Sequence, residues 1–193
     1  MENNKIIGAK IKSIRESRSL TIAEVSERSG VSEVQIERIE SDTELPSLAP
    51  LIKIARVLGV RLGTFLDDHS ELGPVVSRAK DSIDQNAIRF TNDSTVARKH
   101  MEYFSLSQDK AGRHMEPFLI NIVPSEKSEF TLSSHEGEEF IYILEGTIEV
   151  VYGKEKYILE AGDSIYYDSI VAHHVHAPCG KSAKILGVVY TPF

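Results

Sequence analysis

A histidine and a carboxylate stand four residues apart in the segment SSHEGEEFIYILEG, which begins at Ser133. Because side chains alternate between the two faces of a strand, Ser133, His135 and Glu139 point the same way if the segment is extended. A second histidine, His173, follows in a later β-like segment. Two imidazoles and one carboxylate form the facial-triad ligand set, which suits Fe, Mn, Ni or Zn. His135, Glu139 and His173 are therefore the candidate ligands of one divalent metal ion.

The segments around these residues are typical of an all-β domain. From about residue 98 onward, apolar runs are separated by Gly, Asp and Pro, and no helical period interrupts them. Short strands at such spacing predict a sandwich or barrel. The predicted strands are ARKHMEYFSL, EPFLINIV, SEFTLSS, EFIYILEG, TIEVVYG, KYILEAGD, SIYYD, AHHVHA and AKILGVVY.

This half of the chain resembles the cupin barrel over about residues 98–191. SSHEGEEFIYILEG is similar to the first cupin motif and GDSIYYDSIVAHHVHA to the second. The resemblance implies an antiparallel β-barrel (double-stranded β-helix) with ligand positions at 133, 135, 139 and 173. Ser133 stands where the family usually has a histidine, so three protein ligands remain, and the alternative is a pocket in which they bind a polar group directly. The second motif departs from the family at Asp168, Ile170 and Ala177.

The first 66 residues have a helical period instead, with Ile7, Ile11 and Ile14 at helical spacing. TIAE and SEVQ are capping-box sequences that begin at Thr21 and Ser32. Gly30 is expected to end the helix between them, and Ser47 to cap a strongly apolar fourth helix. With RLGTFL as a short fifth, the segment predicts five short helices.

The order of helix, glycine turn and helix in TIAEVSERSGVSEVQIERIE resembles the helix-turn-helix (HTH) domain of the Xre/λ-repressor-like family, over about residues 6–66. The resemblance implies that the helix from Ser32 to Glu40 enters the major groove of DNA. The expected DNA-contacting residues are Ser32, Glu33, Val34, Gln35, Glu37 and Arg38. Phosphate contacts are expected from Lys10, Lys12, Arg15 and Arg18, or from Lys53 and Arg56.

Charge, cysteine content and apolar runs indicate the domain organisation and the expected location of the protein. The chain has 193 residues and a net charge of −7, but residues 1–66 carry ten Lys and Arg against nine Asp and Glu, and the remainder carries twelve against twenty. Unequal charge suggests two domains with different partners. The single cysteine, Cys179, fits a reducing cytosol and is expected in a loop. No signal peptide or membrane-spanning run is apparent, so the expected location is cytoplasmic.

We therefore predict an α + β two-domain protein: residues 1–68 as an HTH DNA-binding domain, 69–97 as a linker, and 98–193 as a cupin effector-binding domain. Its features resemble the Xre-cupin regulators, which implies a dimeric, non-enzymatic transcriptional regulator whose partners are operator DNA and a small-molecule effector. One alternative is a non-haem iron cupin enzyme with an HTH-like domain, similar to hydroxypropylphosphonate epoxidase. Another is a sugar- or amino-acid-modifying cupin enzyme with a vestigial HTH domain.

Overall fold

The computed structural model describes residues 5–41, 43, 46–66, 74–78, 87–88, 101–107, 110, 112–124, 132–178 and 180–192. The described helices are α1 (Lys5–Ser17), α2 (Ile22–Ser29), α3 (Glu33–Glu40), α4 (Leu48–Val57) and α5 (Gly63–Leu66). The described strands are β1 (Ala87–Ile88), β2 (Met101–Ser105), β3 (Met115–Ile122), β4 (Glu138–Glu145), β5 (Thr147–Tyr152), β6 (Glu155–Glu160), β7 (Ser164–Asp168), β8 (His173–His176) and β9 (Ala183–Tyr190). The prediction of five helices followed by an antiparallel β domain is confirmed.

Local capping fixes the relative position of α2 and α3. The Thr21 hydroxyl accepts a hydrogen bond from the Glu24 N–H, and the Glu24 carboxylate accepts one from the Thr21 N–H, which completes the capping box. Gly30 ends α2 in the left-handed region at φ 69°, which costs glycine least. The Ser32 hydroxyl caps α3 by accepting from the Gln35 N–H. The two helices are thereby joined by a short glycine turn, as predicted.

The fourth helix differs from expectation at its start. Ser47 has N-cap backbone geometry, but within the described part of the chain its side chain makes no capping hydrogen bond. The apolar side chains of α4, among them Leu51, Ile52 and Ile54, are buried in the same core as Ile36 and Ile39 of α3. Burial of the apolar face therefore holds α4 in place without a side-chain cap.

The β domain consists of two antiparallel sheets. Among the described strands, one sheet has the order β1-β2-β3-β9-β4-β7 and the other β6-β5-β8, so they form two sheets and not one continuous barrel. Strands β4 and β9 alternate buried and more exposed residues, as strands with one core-facing side do. The predicted strand SEFTLSS lies mostly outside the described residues, as does Cys179. Within the predicted linker, the described part includes the two-residue strand β1.

The helical and β domains are in direct contact. The Arg56 guanidinium at the end of α4 pairs with the Glu136 carboxylate just before β4. Gly63 at the start of α5 lies against a buried ion pair in which Arg113 Nε is 2.7 Å from Glu116 Oε2. A Cβ atom at Gly63 would come within 2.8 Å of Arg113 Nη2, so only glycine fits this approach without a shift. The two domains are thus packed together at α4 and α5.

Candidate functional site

The three candidate ligands converge inside the β domain. His135 precedes β4, Glu139 is on β4, and His173 begins β8 in the other sheet. His135 Nε2 is 2.7 Å from Glu139 Oε1, and His173 Nε2 is 3.4 Å from the same oxygen. One ligand atom from each residue lies within 4.8 Å of the others, and both imidazoles are buried. Strands from two sheets therefore deliver one compact His–Glu–His cluster.

Backbone carbonyls orient both imidazoles. His135 Nδ1 lies 3.0 Å from the Glu136 carbonyl, and His173 Nδ1 lies 2.8 Å from the Val171 carbonyl. Because a carbonyl oxygen can only accept, each Nδ1 must carry the hydrogen and donate it. In the neutral ring the lone pair is then on Nε2, toward Glu139. Such outer hydrogen bonds are what metal-binding histidines have, so these residues fit a divalent ion.

The charges at the cluster depend on each other. Burial alone would raise the pKa of Glu139, but the hydrogen bonds that His135 and His173 donate from Nε2 when their rings are protonated outweigh it and hold that pKa well below its ordinary value. Burial alone would lower the pKa of His173, but the hydrogen bond and charge of Glu139 raise it above its ordinary value. The cluster therefore holds an ionised carboxylate that favours a cation beside it.

Tyr167 completes the surroundings of Glu139. It lies on β7 directly opposite Glu139 in the strand pairing, and its hydroxyl donates to Glu139 Oε2 over 2.7 Å. Burial, followed by the Glu139 charge, raises the pKa of Tyr167 well above its ordinary value, so it stays a neutral donor. The sequence predicts packing in the strand as the default for Tyr167, or a place in a pocket wall. Its hydrogen bond to Glu139 is not visible in the sequence because it depends on which strands pair.

A cavity of about 130 Å³ opens beside the cluster. Its polar lining is Ser47, Ser133, His135, Glu139, His173, His174 and His176, and most of the remaining lining is apolar. Ser133 pairs with His173 across a β-bridge, so the residue at the usual first-histidine position is beside the cluster, as the resemblance implies. His176 Nε2 is 3.7 Å from Glu149 Oε1. The rings of His174 and His176 are stacked, with 5.5 Å between their centroids.

The predicted DNA-contacting residues are the N-cap of α3 and positions along most of that helix. Ser32, Glu33, Val34, Glu37 and Arg38 are exposed, and Gln35 is half-buried. Val34 is an apolar side chain with 56% of its surface exposed. Ile36 and Ile39 lie on the opposite, fully buried side. The helix therefore presents a mixed polar and apolar face outward while its core face anchors it.

Two of the expected phosphate-binding cations are engaged elsewhere. Arg15 is buried, and its guanidinium donates two hydrogen bonds to the Glu40 carboxylate. Nε lies 2.6 Å from Oε1, and Nη2 lies 2.8 Å from Oε2. The expectation that Arg15 contacts phosphate is therefore wrong in this arrangement, because the side chain joins α1 to the end of α3. Arg56 pairs with Glu136 of the β domain. Lys12 on α1 and Arg18 just after it are exposed, and Lys10 and Lys53 are half-buried.

Comparison with known proteins gives the families of both halves. Residues 11–65 match the HTH_3 helix-turn-helix model, and residues 118–189 match the Cupin_2 cupin domain model. The chain is a helix-turn-helix protein with a C-terminal cupin domain. The HTH–cupin chain has no described helix that is long and apolar enough to cross a membrane.

Three relatives resemble the HTH–cupin chain over most of its length. The HTH-type transcriptional regulator SutR of Escherichia coli is 22% identical over 174 residues, which is 90% of this chain and 88% of SutR. The (S)-2-hydroxypropylphosphonic acid epoxidase of Streptomyces wedmorensis is 24% identical over 160 residues, 74% of this chain and 73% of the epoxidase. An HTH_3 family transcriptional regulator from Vibrio cholerae shares the fold with a TM-score of 0.68 at 22% identity, over 99% and 98% of the two chains.

Proposed function

We propose that this protein is a sequence-specific DNA-binding transcriptional regulator whose cupin domain senses a small-molecule effector. The observation that carries the proposal is that an HTH domain with an outward-facing α3 is packed on a domain with a polar cluster in an otherwise apolar cavity. The similarity to SutR and to the Vibrio cholerae regulator extends over both domains, which supports the same combination of tasks here. Action on bacterial DNA would place the protein in the cytoplasm.

DNA binding is assigned to α3 in the major groove. Arg38 is the exposed cation of α3 and suits guanine or phosphate, while Val34 suits a thymine methyl group. Glu33 and Glu37 would accept from cytosine N4 rather than approach phosphates. With nearly balanced charge in residues 1–66, nonspecific affinity should be modest and fall with salt.

The cluster in the cupin domain is assigned to effector binding, with His135, Glu139 and His173 holding a divalent ion of the Fe, Mn, Ni or Zn class. When bound, such an ion supplies a Lewis-acid anchor for an oxygen of the effector. Ser133 in place of a fourth ligand leaves more of the ion's coordination sphere open to small molecules. This cluster is also what the alternative function requires.

Dimerisation belongs to the same proposal. HTH regulators of this kind read two half-sites about one helical turn, ~34 Å, apart, which takes two copies. The outer face of the six-stranded sheet bears five exposed large apolar side chains: Met115, Tyr142, Leu144, Tyr166 and Tyr190. An apolar surface of this kind marks an interaction site, and we assign it to the second copy.

The alternative is a mononuclear iron enzyme. The His–Glu–His cluster favours it because two histidines and one carboxylate are the ligand set of non-haem iron oxygenases, and the epoxidase relative is an enzyme. The regulator is favoured because the likeness to SutR extends over a larger share of both chains than the likeness to the epoxidase.

In vitro selection of DNA from a random pool by the full chain tests the proposal. We expect one enriched motif, bound by the wild type much more tightly than random DNA of equal length. Arg38→Ala should weaken binding to that motif about 5- to 150-fold, the loss of one good base contact, without changing the thermal melting of the protein. Lys181→Ala, an exposed cation of the cupin domain, is the matched control and should bind as the wild type does.

Enrichment of no motif, or equal affinity of Arg38→Ala and wild type for the motif, would contradict the proposal. Metal analysis of the same preparation distinguishes the regulator from the alternative iron enzyme. About one iron per chain together with oxygen consumption on addition of a hydroxyalkylphosphonate would favour the enzyme.

A further inference from the structure

One wall of the cupin cavity comes from the DNA-binding domain. Ser47, Leu48 and Ala49, the start of α4, line the cavity together with His135, Glu139 and His173. Ala49 is buried, and Leu48 is a half-buried side chain packed against the core. These three residues are about ninety positions before the cupin cluster in the chain, so only the packing of the two domains brings them there.

The other end of α4 contacts the residue next to a cluster histidine. Arg56 pairs with Glu136, the residue that follows His135 and whose carbonyl accepts from His135 Nδ1. Leu48 and Arg56 are eight residues apart, or about 12 Å along a helix. One helix therefore contacts the cavity at its start and the support of a cluster histidine at its end.

The same helix is part of the core that positions α3. Leu51, Ile52 and Ile54 of α4 share a buried cluster with Ile36 and Ile39, the core-facing residues of α3. Close-packed interiors transmit a shift of one element to its neighbours because no voids absorb it. Helix α4 packs against α2, and α2 packs against α3, so this core connects the α4 wall to the helix assigned to DNA.

The cavity lining also indicates the chemistry of the ligand. At the cluster end the groups are imidazoles, one carboxylate and the Ser133 hydroxyl, which suit an oxygen head group held by a divalent ion that offsets the Glu139 charge. Away from it the lining is aliphatic and aromatic, including Phe118, Ile120 and Ile185. A small organic acid with an aliphatic body matches both ends.

We propose that a small aliphatic carboxylate in the cupin cavity contacts Leu48 of α4 and that this contact transmits occupancy of the cavity to the DNA-binding helix of the same chain. This inference rests on the proposed regulator function and names the contact through which ligand binding alters DNA binding. A ligand shifts DNA binding only through different affinity for the two arrangements of the protein, and Leu48 is where such a difference arises.

The test uses the full chain, the selected DNA motif and straight-chain carboxylates of about four to eight carbons, with and without Zn²⁺. Three variants are compared with the wild type. Leu48→Ala shortens the α4 side chain that lines the cavity. Val57→Ala is the matched control, because Val57 is also a half-buried side chain of α4 packed on the core but is not part of the cavity lining. Glu139→Gln removes the anchor at the polar end.

Carboxylate binding is measured by calorimetry and DNA binding by fluorescence anisotropy. The wild type should bind at least one carboxylate, and saturation with it should change DNA affinity about fivefold or more, a typical coupling between two sites. Leu48→Ala should bind the carboxylate roughly fourfold more weakly for each ligand CH₂ group that the shorter side chain leaves uncovered, and at saturation it should change DNA affinity less than about twofold. Val57→Ala should keep the wild-type response. In Zn²⁺, Glu139→Gln should lose carboxylate binding, because it removes a ligand of the ion that holds the carboxylate, while keeping DNA affinity.

Each other outcome counts against the inference. If no carboxylate binds the wild type in either metal state, the ligand class is wrong. If the wild type binds one but DNA affinity is unchanged, or if Leu48→Ala at saturation keeps the full response, the α4 route is wrong. All of these are distinct from failure of the proposed function, in which the wild type recognises no DNA motif, whether or not a carboxylate binds.

Discussion

Tyr167 donates a hydrogen bond over 2.7 Å to Oε2 of Glu139, the oxygen that the two histidines leave free. The Glu139 carboxylate is thereby fixed on both sides: Oε1 faces the imidazoles and Oε2 is held by the phenol. A buried carboxylate with each oxygen satisfied keeps one orientation. Tyr167 is therefore a positioning residue for the candidate metal site.

We expect Tyr167→Phe to weaken Zn²⁺ binding about 10- to 100-fold, since outer partners of metal ligands contribute that much. Competition with a chromophoric chelator measures the affinity. Tyr166→Phe is the matched control, because Tyr166 is the next residue, is exposed, and bonds to Glu138 instead. Equal losses in both variants, or none in Tyr167→Phe, would show that the phenol does not position Glu139.

The Arg15–Glu40 pair should contribute substantially to stability. Arg15 also donates from Nη1 to the Leu20 carbonyl, so its removal leaves a buried carboxylate and a carbonyl without their donor. We expect Arg15→Ala to lower the free energy of unfolding by about 3 kcal/mol. Arg28→Ala breaks an exposed pair with Glu24 at 3.9 Å and should cost far less stability than Arg15→Ala, because solvent screens such a pair. Urea unfolding followed by helical circular dichroism compares them, and similar losses would contradict the prediction.

Local patterns predicted much of this protein, because helix caps and strand alternation are short-range effects. The capping box at Thr21, the left-handed turn at Gly30 and the shared face of His135 and Glu139 each depend on residues within a few positions. The sequence predicts His173 as the second imidazole because it follows in a later β-like segment, but its closeness to Glu139 depends on the packing of two sheets, which local patterns do not show.

Long-range packing is what the sequence could not predict. In the sequence Arg15 cannot be distinguished from an exposed helix cation, because its partner Glu40 is 25 residues away and meets it only in the folded chain. Ser47 and Leu48 become part of a cavity only because α4 packs against the β domain. In each case the position in the chain is ordinary, and the role arises from a contact between distant segments.

In the metal-free protein, the stabilisation from the His173–Glu139 pair should decrease as pH rises above about 6.5. The raised pKa of His173 means that the folded state holds this proton where the unfolded state, near 6.5, has released it. The resulting stabilisation is complete below pH 6.5 and is lost as pH passes through the folded-state pKa. Glu139 stays ionised throughout because its pKa is well below its ordinary value.

Melting temperatures in a chelator at pH 6, 7 and 8 measure this effect. Glu139→Gln removes the partner that raises the His173 pKa, so its melting temperature should depend less on pH than that of the wild type. Glu138→Gln, the exposed-side neighbour that pairs with Tyr166, should retain the wild-type dependence. Parallel pH curves for wild type and Glu139→Gln would show that the pair does not couple folding to pH.

The outer face of the six-stranded sheet gives the last prediction. Leu144 on β4 is 40% exposed among other apolar side chains of that face, and a lysine there would place a charge inside the proposed dimer contact. Burying an uncompensated charge costs several kcal/mol, enough to dissociate most moderate dimers. Leu144→Lys should therefore sediment with the mass of one chain where the wild type sediments with the mass of two.

Ile158→Lys is the control, because it also replaces an exposed apolar side chain by lysine but on the other sheet. Ile158 is 57% exposed on β6 of the other sheet, so its replacement should leave the dimer intact. Because two half-sites need two copies, Leu144→Lys should also weaken binding to a two-half-site motif while affinity for a single half-site stays the same. A monomeric wild type, or a dimer broken by Ile158→Lys and not by Leu144→Lys, would move the contact away from this face.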